Sequence, residues 1–132
     1  MIVNALFRRI VLPGVLVGLV LHAYTCFYVA EGGASRFTVG LFALSILPYL
    51  TCLYAGTKSG PWPVVAACIT PLLLLVDGFA FKDAVISPTA STSSLVLLVA
   101  PILNLVVLLL GFVVGGLARR AAERRKRISK WK

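Results

Sequence analysis

Ser94 to Ala118, SLVLLVAPILNLVVLLLGFVVGGLA, is a run of 25 residues without a charge, and it is followed by RRAAERRKRISKWK, residues 119–132, with eight basic residues and one acid. At 1.5 Å per residue, about 20 helical residues cross the ~30 Å hydrocarbon core of a bilayer, so this run is long enough to span one. Working back toward the N-terminus, Pro61 to Phe81, Phe37 to Gly56 and Ile10 to Ala30 have the same character, with 21, 20 and 21 residues. Asp77, in the third run, is the one charged residue in all four. The 60% hydrophobic content agrees with this reading. In lipid, backbone polar groups must be satisfied within the segment, which selects helices. The connections Glu31 to Arg36, Thr57 to Gly60 and Lys82 to Ser93 hold 6, 4 and 12 residues, too few for a soluble domain. The sequence therefore predicts an all-α integral membrane protein, one domain over residues 1–132, built as an up-down bundle of four transmembrane helices.

The distribution of Lys and Arg sets the expected orientation. Eleven of the 13 lie before the first span, between the second and third, or after the fourth: Arg8, Arg9, Lys58 and the eight of the tail. The other two connections hold Arg36 and Lys82, each accompanied by an acid, Glu31 or Asp83. The positive-inside rule then places both termini in the cytoplasm, and the expected location is a bacterial inner (plasma) membrane. Arg8 and Arg9 before a 21-residue apolar run read as a retained signal-anchor helix, because the run is too long for a secretory h-region. A net charge of +9 raises the question of nucleic acid, but clustering of the charge at one membrane face makes it a topology signal, and no nucleic-acid partner is expected.

Lipid already solvates Leu and Val, so helices in a bilayer associate through small residues and polar contacts. Gly14 and Gly18 form a Gly-x-x-x-Gly pair whose stripe continues to His22 and Cys26, and Gly111 and Gly115 form a second pair. These are the expected helix-packing faces, within the chain or against another subunit. Pro48, Pro71 and Pro101 each remove one helical hydrogen bond, and kinks there are able to open a cavity. Cys26, Cys52 and Cys68 are odd in number and lack a Cys-x-x-Cys pair, so they read as packing residues, with neither a disulfide framework nor a metal site.

His22, Asn104 and Asp77 are the strongly polar or ionisable residues inside the runs, and such groups are functional candidates because their burial in lipid is costly. His22 and Asn104 lie two residues to the same side of their span midpoints, about 3 Å from the bilayer centre, which predicts a structural hydrogen bond between them. Asp77, six residues past the midpoint of its run, is expected near the outer boundary, pairing with Lys82 or reaching headgroup water. A proton relay through His22 and Asp77 is the sharper alternative. Haem at His22 is disfavoured because bis-His ligation needs a second His and the chain has one, so no cofactor is expected. Nor is an enzyme, since no nucleophile and base share a depth.

Arg119, Arg120, Arg124, Arg125, Lys126, Arg127, Lys130 and Lys132 form a polybasic tail that extends the fourth helix. At ~1 kcal/mol per base near an anionic surface, it is expected to bind anionic lipid or an acidic partner. Sparse interior polarity and Gly-rich faces point first to a non-catalytic accessory subunit of a larger membrane complex, such as a transporter, secretion or respiratory assembly. Two alternatives are a small homo-oligomeric transporter or channel using His22, Asn104 and Asp77, and an immunity-type protein that binds a membrane-inserted toxin.

Overall fold

The computed structural model describes residues 5–29, 35–86 and 93–129. Glu31 and the Ser/Thr-rich 87–92 segment, together with Lys130, Trp131 and Lys132 of the tail, lie outside the described residues. Among the described residues the structure is all helical. Four helices are long and apolar enough to cross a membrane: α1 (Phe7–Val29), α2 (Arg36–Gly56), α3 (Trp62–Ile86) and α4 (Ser93–Ser129), which continues through the Arg-rich segment.

Local chemistry sets the ends of these helices. Ser35 caps α2 in an extended conformation: its Oγ accepts from the Thr38 N–H at 3.2 Å, while Thr38 Oγ1 accepts from the Ser35 N–H at 2.8 Å. Two of the orphan donors at the helix start are satisfied reciprocally in this way. The turn into α3 needs Gly60, at φ +92°, a conformation in which a Cβ is strained, and Pro61 and Pro63 then begin the new helix without requiring donors. Two boundaries differ from the sequence expectation. α1 is helical from Phe7, and α3 runs past Phe81 to Ile86, its last turn, Lys82–Ile86, being π-helical. No Gly or Pro interrupts the chain between Phe79 and Ser87, so a helix that begins before that segment has no local reason to stop at Phe81.

Consecutive helices are antiparallel. Phe7 at the start of α1 lies against Gly56 at the end of α2, and Trp62 at the start of α3 packs on Phe112 in α4 with ring centroids 5.5 Å apart. α2 and α3 each touch the other three helices. Both Gly-x-x-x-Gly pairs are used inside the chain. A Cβ on Gly14 would meet Thr70 Cγ2 at 2.4 Å and one on Gly18 would meet the Tyr49 ring at 2.4 Å, so α1 sits against both α3 and α2. Gly111 and Gly115 are approached as closely by Ile69 and Val65 of α3. Pro48 and Pro101 are buried and Pro71 lies on the surface, and the helices continue through all three. Cys26 and Cys52 are buried as expected of packing residues, whereas Cys68 is exposed.

Polarity is distributed inside out. Val20, Leu109 and Val114 on the bundle surface are 70%, 65% and 64% exposed, while Ser45, Thr70, Asp77 and Asn104 are buried. A protein in water buries its large apolar groups and leaves its acids and amides outside. This bundle leaves many large apolar groups on its surface and buries Asp77 and Asn104.

Candidate functional site

Each helix contributes one polar side chain to a cluster centred on Asp77. His22 Nε2 of α1 lies 2.9 Å from Asp77 Oδ2, the Tyr49 hydroxyl of α2 donates to the same oxygen at 2.5 Å, and Asn104 Nδ2 of α4 donates to Oδ1 at 2.6 Å. His22, Tyr49, Asp77 and Asn104 are all buried, at 6%, 0%, 3% and 0% exposure. The His22 and Tyr49 rings meet edge to face, 5.8 Å between centroids. With the Nε2 proton in place, three donors converge on one carboxyl group, the pattern an ionised carboxylate accepts. Its charge is opposed by one titratable group, His22. The pair is neutral when His22 is protonated and carries one negative charge when it is not.

This geometry corrects two expectations. His22 and Asn104 are brought together, but through Asp77, not by a bond to each other. Asp77 is buried inside the bundle and does not pair with Lys82, which is exposed. The reason is the helix ends. With α3 running from Trp62 to Ile86 and α1 from Phe7 to Val29, Asp77 lies three residues past the middle of its helix and His22 four past the middle of its own. The two are then level to within about 1.5 Å. Tyr49 was missed altogether. It counts as an apolar aromatic in a hydropathy reading, yet a Tyr hydroxyl deep in an apolar run requires a partner, and that was the available signal.

His22 and Asp77 of the cluster lie at the floor of a cavity of about 520 Å³. From His22, Ser45 and Asp77 the cavity runs seven or eight residues along α1, α2 and α3 to Val29, Phe37 and Ala84, at the end of the bundle opposite Lys58. Leu98 and Ala100 of α4 complete the wall. α1 and α3 both change to wider π-helical turns here, at Thr25–Val29 and Lys82–Ile86, and such turns recur where helices line sites. Thr25 holds the first of these turns: its hydroxyl lies 3.1 Å from both the Leu21 and His22 carbonyls. Comparison with family models, curated proteins and solved structures finds no match. What fold and site define is a class: a four-helix bundle of membrane-spanning length with one buried carboxylate held by all four helices.

The shared acceptor gives a specific expectation for mutational coupling. His22→Ala and Asn104→Ala, measured by reversible unfolding in detergent, should couple by about 0.5 to 1 kcal/mol in the native chain and by about zero once Asp77 is Ala. Coupling that persists without Asp77 would restore the direct His22 to Asn104 contact.

Proposed function

We propose that this chain is a small transporter of the bacterial inner (plasma) membrane, with both termini cytoplasmic, whose proton-binding centre is the His22–Asp77 pair. The observation that carries the reading is the convergence of four helices on one carboxylate at the floor of a cavity that reaches one end of the bundle. A buried carboxylate at membrane depth is costly and marks proton relays and ion pathways. Uptake of one proton changes the charge of the pair from minus one to zero, which is the change a carrier needs to couple a proton to a cargo. The apolar exterior and polar interior support insertion in lipid.

The accessory-subunit expectation rested on Gly-rich helix faces, sparse interior polarity and the absence of catalytic groups. The Gly pairs are occupied by Thr70, Tyr49, Ile69 and Val65 of this chain, and the interior polar groups form one cluster. The transporter reading therefore leads. The basic tail is assigned to the anionic inner leaflet, where Arg119 is partly offset by Glu123, 2.9 Å away one turn on.

Two measurements test this. In proteoliposomes loaded with a pH dye, external solutes from several classes (inorganic cations, organic ammonium ions, amino acids, sugars) are added in turn. At least one class should drive proton movement, slowed at least about tenfold by Asp77→Asn. A panel in which no solute moves protons, together with a larger chain co-purifying in stoichiometric amount, would return the protein to the accessory class. For orientation, a single cysteine at Ser35 in a background lacking the native three should react with an impermeant thiol reagent in intact cells. Reaction at Lys58→Cys instead would invert the topology.

A further inference from the structure

We propose that the cavity above Asp77 binds a small organic cation, an ammonium ion on an apolar body, and that this cation competes with the proton for the His22–Asp77 pair. The argument is a count of donors and acceptors. The Thr25 hydroxyl donates to its own helix at the Leu21 and His22 carbonyls, and the Ser45 hydroxyl donates to the Leu41 carbonyl at 2.8 Å. Thr38, the third hydroxyl of the lining, is engaged with Ser35, donating to its carbonyl at 3.0 Å, and what Thr25 and Ser45 turn to the cavity is therefore lone pairs. Asp77 accepts only, and the ring nitrogen of His22 that makes a hydrogen bond is turned to Asp77. The same imbalance recurs behind the wall, where the buried Asn104 Oδ1 has no donor among the described residues. A site rich in acceptors and poor in donors fits a ligand that brings N–H groups and positive charge, and it rejects an anion.

The rest of the wall says what the body of the ligand is. Leu21, Val29, Leu41 and Leu98 are aliphatic, and Phe37 and Phe81 offer aromatic rings able to hold an apolar group or the face of a cation. A volume of about 520 Å³ is within the range of pockets for drug-sized ligands. A bare inorganic cation is poorly served. Among the described residues no three His, Cys, Asp or Glu side chains come together to replace the hydration shell of a metal ion.

The groups that face Asp77 are few: His22 from α1, Tyr49 from α2 and Asn104 from α4. Cys26 lies on the cavity wall of α1, and Lys82 and Asp83, further along α3, are exposed. No Lys or Arg among the described residues forms an ion pair with Asp77. Protonation of the pair removes the negative charge that the ammonium needs, so acid weakens cation binding and cation binding releases a proton.

This assignment names the cargo of the carrier proposed above and rests on that reading for its role, but binding is measurable without transport. The full chain in mild detergent is titrated calorimetrically with benzylammonium, its neutral relative benzyl alcohol and its anionic relative benzoate. Benzylammonium should bind saturably, benzyl alcohol at least about tenfold more weakly and benzoate not at all. Affinity for benzylammonium should fall as the solution is made more acidic, with proton release shown by heats that depend on the buffer's ionisation enthalpy. Asp77→Asn should reduce benzylammonium to the level of the alcohol. Ala84→Leu, which narrows the cavity without touching the cluster, should weaken benzylammonium binding while leaving the fold intact. Equal affinity for all three compounds, or benzylammonium binding indifferent to Ala84→Leu, would overturn the assignment. Benzylammonium that binds but never exchanges for protons in proteoliposomes would leave the site and remove the carrier. Protons driven by another solute, with no benzylammonium binding, would leave the carrier and remove this cargo.

Discussion

Asp77→Ala should be the most destabilising single polar substitution in the bundle, by about 3 kcal/mol in reversible unfolding from detergent. The variant leaves three buried donors, on His22, Tyr49 and Asn104, without their shared acceptor. An unsatisfied buried donor costs ~1 to 3 kcal/mol, and the lower end applies because His22 faces the cavity, where water can enter. Tyr49→Phe keeps the ring that packs on Gly18 and loses only the hydroxyl, so it should cost about 1.5 kcal/mol, the value of a hydrogen bond to a charged group. Added to Asp77→Ala, Tyr49→Phe should cost almost nothing further, since its bond is already gone. An Asp77→Ala protein as stable as the native chain would mean that desolvation of the carboxylate cancels its hydrogen bonds. The cluster would then persist for function alone.

Gly18→Ala should cost about 2 to 3 kcal/mol, although in an isolated helix the same change is favourable by ~1 kcal/mol. The added Cβ would lie 2.4 Å from Tyr49 Cε1 and 2.5 Å from Cζ, and the ring it strikes is fully buried with its hydroxyl fixed on Asp77. Relief requires α1 to move away or the ring to leave Asp77, so the variant should lose benzylammonium binding as well as stability. Gly116 is the control. A Cβ there meets nothing within 4 Å, so Gly116→Ala should be neutral or stabilising by up to ~1 kcal/mol. Gly111→Ala should fall between the two, because the atoms it meets, Ile69 Cδ1 and Cγ1, belong to a side chain that can rotate. Equal tolerance of Ala at Gly18 and Gly116 would refute the close packing of α1 on α2.

The sequence by itself determined the number of helices long and apolar enough to cross a membrane, their antiparallel order and the residues worth watching. Hydrophobic run length, short connections and the cost of burying His, Asp and Asn are properties of local segments. They do not depend on which face meets which neighbour. The Gly pairs were legible as packing faces for the same reason. Only the tertiary structure decided the partners. Depth was judged from the ends of apolar runs, but α1 begins before Ile10 and α3 continues through Lys82 and Asp83 to Ile86. A helix does not end where hydropathy does when nothing in the backbone stops it. That shift of a few residues brought Asp77 level with His22, and it turned an expected boundary carboxylate into the centre of the bundle. Tyr49 joined it because rotation of α2 about its own axis, set by packing against Gly18, decides whether a hydroxyl points out of the bundle or at a carboxylate. Composition carries no record of that rotation, and four single polar residues on four helices become a site only when the packing turns them inward together.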